Sequence, residues 1–344
     1  MRWMKCCRRK CLNATAKPAR LLVALFLPIL FSFVISASAQ DTTFRTRSNL
    51  VLVPTLVKDG QGGIVYGLHA DDFVLEDNGV PQPLRLDEAP EGQPISLVVA
   101  IQRGRRAAYE FPRMQGLRTT LSPLFAAGAA RVAIVEFDSH VDLTRNFSTD
   151  ESLIDADLTN LQPGDNGAAI LEAVAYSIKL LRDEAEDRQR VLLLISENHD
   201  HGSRVKIDNA VAAIGQSNTV MYALAFSPGI SNILDTGRGV NKDEMHQGVN
   251  FLDLAYRTGQ AMRRNIPSTV AAMTGGEYEL FTTRKKFEVR MNDFTNHLHS
   301  RYLLSFAPKD PQPGLHQLRV RLKDAANGSV LARTSYWAES QEQK

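Results

Sequence analysis

Hydrophobic positions in this chain come in short unbroken runs separated by stretches of helical period. Ile95–Ile101, Arg131–Phe137, Arg190–Ser196 and Thr219–Phe226 are almost wholly apolar. Such runs mark strands covered on both faces, as in a parallel sheet. Between them lie segments that read as helices. Phe111–Phe125 is one, weakened by Pro112 and Gly116, and Glu151–Leu161 and Lys206–Gln216 are two more. Gly167–Arg182 is the strongest, with Ile170, Leu171, Val174, Ile178 and Leu181 on one side at the helical period. Val141–Phe147 reads as a strand returning antiparallel to Arg131–Phe137, and Pro228–Val249 as a loop. Phe251–Tyr256 and Pro267–Met273 predict short helices, and Tyr278–Phe281 the last strand of the sheet. Lys285–Leu298 predicts a long helix with Phe287, Val289, Phe294 and Leu298 facing inward. This alternation predicts an α/β fold, a Rossmann-like, open and mostly parallel sheet with helices on both faces.

The two ends of this pattern have period two instead. Leu50–Val57 predicts a strand, and its Pro54 argues for an edge position. Leu68–Asp72 reads as a helical turn or loop, and Phe73–Glu76 as a short strand. Asp77-Asn78-Gly79 has the composition of a tight hairpin turn, across which Pro81–Leu86 could pair back. Beyond the α/β segment, Tyr302–Phe306, His316–Leu322 and Val330–Trp337 read as three more strands. Neither end is long enough to bury a core alone. The economical arrangement joins residues 45–90 with 300–340 in a small β-sandwich, with residues 93–299 inserted between them.

The first 39 residues stand apart. A basic leader (Arg2, Lys5, Arg8, Arg9, Lys10, Lys17, Arg20) precedes the apolar run Leu21–Ile35 and an Ala37-Ser38-Ala39 cleavage signal. This predicts a secretory signal peptide, with the protein exported to the periplasm or secreted. The alternative is an uncleaved anchor helix, for which the run is short and interrupted by Pro28. Seven of the 40 Lys and Arg lie in this leader and none of the 38 Asp and Glu does, so 33 basic residues remain against 38 acidic ones, a net charge of −5. That balance argues against a nucleic-acid partner. Cys6, Cys7 and Cys11, the only cysteines, also lie in the leader, so residues 40–344 contain neither disulfide nor thiol.

The candidate chemistry sits where strands end. Ile95–Ile101 runs directly into Gln102-Arg103-Gly104-Arg105-Arg106. Open α/β sheets bind ligands at the carboxyl ends of their strands. Arg103, Arg105 and Arg106 read either as a solvated loop or as an anion patch, because guanidinium forks bind carboxylate and phosphate directly. Glu197-Asn198-His199-Asp200-His201 follows the third core strand at the same edge. His199, Asp200 and His201 could in principle hold zinc, and Glu136–His140, at the end of the second strand, could approach them, or the loop could simply be solvated. No catalytic motif for acyl or phosphoryl transfer, metalloproteolysis or dinucleotide binding is present.

Several segments carry a resemblance. They are LVLVPTLVKDGQGGIVYGLHADDFVLEDNGVPQ (50–82), RVAIVEFDSHVDLTRNFSTD (131–150), LQPGDNGAAILEAV (161–174), RVLLLIS (190–196), MTGGEYE (273–279) and SRYLLSFAPKDPQPGLHQLRVRLK (300–323). Together they resemble the von Willebrand factor type A (vWA) family, and within it the exported bacterial proteins of acidobacterial type. The resemblance covers most of residues 40–344 and implies a metal-ion-dependent adhesion site built from three loops. The first loop of that site supplies Asp-x-Ser-x-Ser, and the matching positions are Gln102, Gly104 and Arg106. The second supplies a Thr, matched by Ala168, and the third an Asp, matched by Glu197. Only Glu197 keeps a ligand carboxylate. A hard divalent cation takes about six oxygen ligands, and neighbouring guanidiniums repel it. The resemblance therefore implies a degenerate site with no bound metal or other cofactor, in which Glu197 could pair with Arg103 or Arg106. The function implied is a non-catalytic interaction module for another envelope or extracellular protein, without a stable membrane span. A divergent metal-dependent hydrolase using residues 197–201, or a purely structural domain, are the alternatives.

Overall fold

The computed structural model describes residues 50–87, 93–126, 130–185, 187–226, 251–309, 311–324 and 328–339. These fall in one compact unit, Ser48–Lys344. The segments read as a signal peptide and as the 228–249 loop lie outside the described residues. No helix among the described residues is long and apolar enough to cross a membrane.

At the centre is a six-stranded sheet built from β5 (Ile95–Gln102), β6 (Ala130–Phe137), β7 (Val141–Ser148), β8 (Gln189–Ser196), β9 (Thr219–Phe226) and β10 (Tyr278–Phe281). The spatial order is β10-β9-β8-β5-β6-β7, with only β7 antiparallel. β5, where the order reverses, is buried along its whole length. Its side chains alternate between two cores. Ile95, Leu97, Val99 and Ile101 enter one, and Val98 and Ala100 the other. Both faces are therefore apolar, which is why the run carries no alternation.

Helices α1 (Leu117–Ala126), α2 (Glu151–Thr159) and α7 (Arg284–Leu298) supply side chains to the first core. Helices α3 (Ile170–Arg182), α4 (Ile207–Gln216), α5 (Phe251–Arg264) and α6 (Ile266–Thr274) supply the second. Pro112 and Gly116 split the helix expected over Phe111–Phe125. A 3-10 turn, Phe111–Arg113, precedes α1, which starts at Leu117. On α7, Phe287, Phe294 and Leu298 are buried as the period predicts, whereas Val289 is 47% exposed. Met291, four residues after Phe287, takes the inward place, because i and i+4 share a helical face and i+2 does not.

The remaining strands form two four-stranded antiparallel sheets. One has the order β13-β1-β11-β4, from Ser329–Ala332, Val51–Lys58, Tyr302–Phe306 and Arg85–Asp87; the other, β14-β12-β2-β3, from Ser335–Ala338, Gly314–Leu322, Phe73–Asp77 and Val80–Gln82. Their facing side chains, among them Val53, Val57, Phe73, Leu75, Leu304, Phe306, Leu318 and Tyr336, make a third core. The hairpin turn is as expected, with Asn78 and Gly79 both at positive φ (48° and 82°).

Three sequence expectations are corrected here. β1 is an interior strand, flanked by β11 and β13. The ladder to β13 begins only at Thr55, so the missing N–H of Pro54 interrupts nothing on that side. Pro81–Leu86 does not pair back as one strand, since β3 pairs with β2 while β4 crosses to β11. Val330–Trp337 is likewise two strands in different sheets, broken at Arg333-Thr334.

The sandwich carries a buried polar cluster. His316 Nδ1 lies 2.9 Å from Asp77 Oδ1 and His316 Nε2 lies 2.7 Å from the Gln312 carbonyl oxygen, while the Tyr336 hydroxyl donates to Asp77 Oδ2 at 2.8 Å. Burial alone would depress the imidazole, but the hydrogen bonds to Asp77 and Gln312 outweigh it and raise His316 above its ordinary value. A histidine raised by folding stabilises fully below its unfolded value near 6.5, and that contribution is lost as pH rises through the folded value. Urea denaturation should therefore show stability falling above pH 6.5, with the slope reduced in His316→Gln; an unchanged slope would remove the imidazolium from the account. On α7, Phe287→Ala should cost about 3–5 kcal/mol and Val289→Ala no more than about 0.5 kcal/mol, measured in the same way.

Candidate functional site

The carboxyl edge of the central sheet is closed by three loops, residues 102–106, 138–140 with 163–169, and 197–203. Backbone hydrogen bonds interlock them. Arg103 N donates to Phe137 O (2.8 Å), Gly164 N to Arg103 O (2.9 Å), Arg105 N to Asp165 O (2.8 Å) and Ala169 N to Asp138 O (2.7 Å). Ala168 and His201 exchange two further bonds as an isolated antiparallel bridge. The packing is close enough that a Cβ built on Gly104 would lie 2.0 Å from the Gly167 carbonyl oxygen and 2.8 Å from Asp138 Cβ. No serine can occupy position 104 without displacing a backbone carbonyl.

Gln102 and Glu197 meet at the centre of this edge, both buried. Gln102 Nε2 donates to Glu197 Oε1 at 3.0 Å, and Glu197 N donates to Gln102 Oε1 at 2.9 Å. The amide thus satisfies a carboxylate and a backbone donor together, a task an aspartate at 102 could not perform because it has no N–H. Arg105 closes the group from outside. Its Nε stands 2.7 Å from Glu197 Oε1. The N–H is not aimed at the oxygen, and Arg105 Nε has no directed hydrogen bond, so the contact is an ion pair rather than a guanidinium fork. Arg105 holds φ at 56°, in the left-handed region that side chains avoid. Its bond to Asp165 and its charge pairing with Glu197 oppose that strain.

Sequence reasoning paired Glu197 with Arg103 or Arg106; the partner is Arg105. Arg103 turns the other way into a cage of acids, 2.9 Å from Asp138 Oδ2, 2.5 Å from Asp142 Oδ2 and 3.6 Å from Glu136 Oε2. Burial raises Glu136 above the ordinary carboxylate range, against the opposing effects of a Thr144 hydrogen bond and the Arg103 charge. Arg106 is exposed and opens a 3-10 turn ahead of the exposed Tyr109. The three arginines therefore form neither a bare solvated loop nor a common anion patch, because internal carboxylates neutralise Arg103 and Arg105.

His199, Asp200 and His201 do not converge on a common point. Both histidines are exposed. Asp200 is occupied at the start of α3, where Ala169 offers no capping side chain. Its Oδ1 accepts from Leu171 N at 3.1 Å and from the Ser203 hydroxyl at 2.6 Å, and Ser203 Oγ accepts from Glu172 N at 3.1 Å. The loop after β8 thus caps a helix, which explains an acidic residue there without a metal.

Among the described residues, one group of three gathers potential ligand atoms within 4.8 Å, namely Asp138, His140 and Asp165. Of these, sequence reasoning noted Asp138 and His140 only as neighbours of the 197–201 loop and missed Asp165, whose signal was its place before Asn166-Gly167 in a tight loop. The group is incomplete as a cation site. Asp138 already accepts from Arg103 and from His140 N. Asp165 accepts from the Ser139 hydroxyl and from the Gly167 and Ser139 amides, and these bonds hold it below the ordinary carboxylate range despite a small opposing effect of burial. A divalent cation would have to displace the Arg103 guanidinium to reach Asp138 Oδ2.

The strand order, the single antiparallel edge strand and this three-loop edge are those of a vWA-like, Rossmann-like fold with an incomplete Asp-His-Asp cluster at its carboxyl edge. Neither a protein-family model nor a curated protein sequence matches the chain. Solved structures overlap it in part. The PilB minor pilin from Streptococcus sanguinis is 13% identical, with 63% of this chain and 64% of the pilin covered and a TM-score of 0.42. BatB from Bacteroides thetaiotaomicron is 13% identical over 59% of this chain and 98% of its own, with a TM-score of 0.39. The pilus adhesin SpaC from Lactobacillus rhamnosus GG is 9% identical over 83% and 47%, with a TM-score of 0.39. The chain spans less than two thirds of the pilin's length.

Because Glu197 is nearly enclosed, removing Arg105 leaves a carboxylate without its counter-charge. Arg105→Ala should destabilise by about 1–3 kcal/mol, toward the lower end because Arg105 is partly exposed. Glu197→Gln in the same chain should recover most of that loss. Additive effects in a denaturation double-mutant cycle would show that the pair is not coupled.

Proposed function

We propose that the protein is an exported, non-catalytic binding module of vWA type whose loop edge engages another envelope or extracellular protein without a bridging divalent ion. The observation that carries this reading is the Gln102–Glu197–Arg105 group. In the adhesion site implied by the family resemblance, an ion is coordinated by oxygens from three loops and so joins them. In this chain a guanidinium supplies the positive charge against the one surviving carboxylate, and an amide joins the first loop to the third. The close approach at Gly104 leaves no room for the hydroxyl side chain such an ion needs. Hydrogen bonds and an ion pair between the protein's own side chains take the place of a bridging ion in holding the loops together.

A surface built this way is preorganised, which lowers the cost of ordering on association. It presents Arg106 and Tyr109, both exposed, of residue types enriched in protein interfaces. Export is supported by the leader, the apolar run and the Ala-Ser-Ala signal in residues 1–39. At this edge the Ser139 hydroxyl lies 2.9 Å from His140 Nδ1 but donates its proton to Asp165 rather than to the imidazole, which supports a binding role over catalysis.

Calorimetric titration with Mg²⁺ and Mn²⁺ should give no saturable heat, and EDTA should leave the thermal midpoint unchanged. Saturable Mg²⁺ binding that disappears in Glu197→Gln would overturn the ion-free reading.

A further inference from the structure

A cleft of about 630 Å³ opens at the opposite edge of the central sheet, where the amino ends of β8 and β9 meet β1 and β11. Arg188, Arg190, Arg301 and Arg333 line it, and among the described residues no aspartate or glutamate does. Guanidinium groups stay protonated in proteins, so the walls carry a concentrated positive charge. Arg188 has an acid nearby, its Nε 3.9 Å from Glu184. The other three are less well balanced. Arg301 stands 3.6 Å from Glu277, but that carboxylate already holds Lys58 at 2.5 Å and His297 at 2.6 Å. Arg190 and Arg333 have no carboxylate within 4.0 Å among the described residues. Arg190 donates only to the carbonyls of Glu184 (2.8 Å) and Arg182 (3.3 Å). Arg333, 4% exposed, donates to the carbonyls of Ser335 and Leu52 at 2.7 and 3.2 Å, to Gly215 O, and to the Asn218 amide oxygen at 3.4 Å.

Two of these donors are left over. Arg190 Nε and Arg301 Nη2 are buried and have no hydrogen-bond acceptor, and the Arg301 side chain is 4% exposed. Buried charged donors without acceptors are costly and uncommon, and a buried cation without a counter-charge is more so. Both deficits would be met by the same thing, an oxyanion in the cleft. We propose that the cleft is a binding site for a small molecule bearing phosphate or carboxylate groups, held by Arg190 and Arg301 in the field of Arg333. The volume is that of a small-ligand pocket, and guanidinium is the side chain best matched to either oxyanion. Burial holds Arg333 down to about 10, the direction expected of an enclosed cation that no carboxylate supports; it remains protonated at neutral pH. This site is separate from the loop edge and does not depend on the binding role assigned to that edge.

The test is calorimetric titration of the purified protein with pyrophosphate and, separately, with citrate, in phosphate-free buffer at ionic strength matched with NaCl. Saturable binding of either at one site per chain is expected, and the better ligand identifies which oxyanion the cleft takes. Arg190→Gln should weaken it at least tenfold while the far-ultraviolet spectrum of the free protein stays unchanged. Gln189→Glu, which places an internal carboxylate in the lining without changing its volume, should weaken it by a similar factor and serves if Arg190→Gln does not fold. No saturable binding of either anion, or binding undiminished in the folded variants, overturns the proposal.

Discussion

The structure depends on one long-range ladder, the antiparallel pairing of β1 with β11, in which Val51 lies opposite Phe306 and Thr55 opposite Tyr302. The strands of the β-sandwich come from both ends of the described chain, and the whole α/β domain lies between them. Neither end can bury its apolar face until the other arrives. Closing so long a loop is entropically expensive, and the insertion reduces that cost by folding into a rigid body. The junction is correspondingly tight. Gly275, at φ 80°, ends α6 where a Cβ would stand 2.7 Å from Arg333 N and 2.8 Å from the Pro54 carbonyl oxygen. Arg333 reaches from the sandwich to the Gly215 carbonyl at the end of α4.

The same geometry gives the molecule two electrostatically different edges. At the carboxyl edge Arg105 pairs with Glu197 and Arg103 with three acids. At the amino edge, among the described residues, Arg190 and Arg333 have no carboxylate within 4.0 Å. The first edge is stiffened by closing its charges on one another; the second keeps donors in reserve. Arg301 links the second edge to the fold itself, donating to the Tyr222 hydroxyl at 2.7 Å and stacking its guanidinium 5.0 Å from that ring's centre.

Much of the fold was legible along the chain because burial on both faces leaves an unmistakable mark. The runs at 95–101, 190–196 and 219–226 had nowhere to go but the centre of a covered sheet, and the period of α3 named its buried side. The errors have a common cause. Pro54 suggested an edge because propensity knows only that an N–H is missing, not that the neighbouring ladder starts one residue later. Val330–Trp337 looked like one strand because the transfer between sheets at Arg333-Thr334 is made by tertiary hydrogen bonds. Val289 was assigned inward on hydrophobicity alone, although its position two residues from Phe287 places it on another face of the helix.

For the site, the sequence determined which atoms exist: no hydroxyl or carboxylate at positions 102, 104, 106 and 168, and one carboxylate at 197. That is why the sequence predicts an edge without the ordinary ion chemistry. What it could not determine was which of three neighbouring arginines would answer Glu197, because successive residues of a loop point in directions fixed by backbone dihedrals rather than by order. Only the tertiary structure decided that Arg105, held at positive φ with its N–H on the Asp165 carbonyl, turns inward while Arg103 turns to acids at the ends of β6 and β7. It also brought together Arg190, Arg301 and Arg333, far apart in the chain, because a cavity's charge is the sum of side chains that folding makes neighbours.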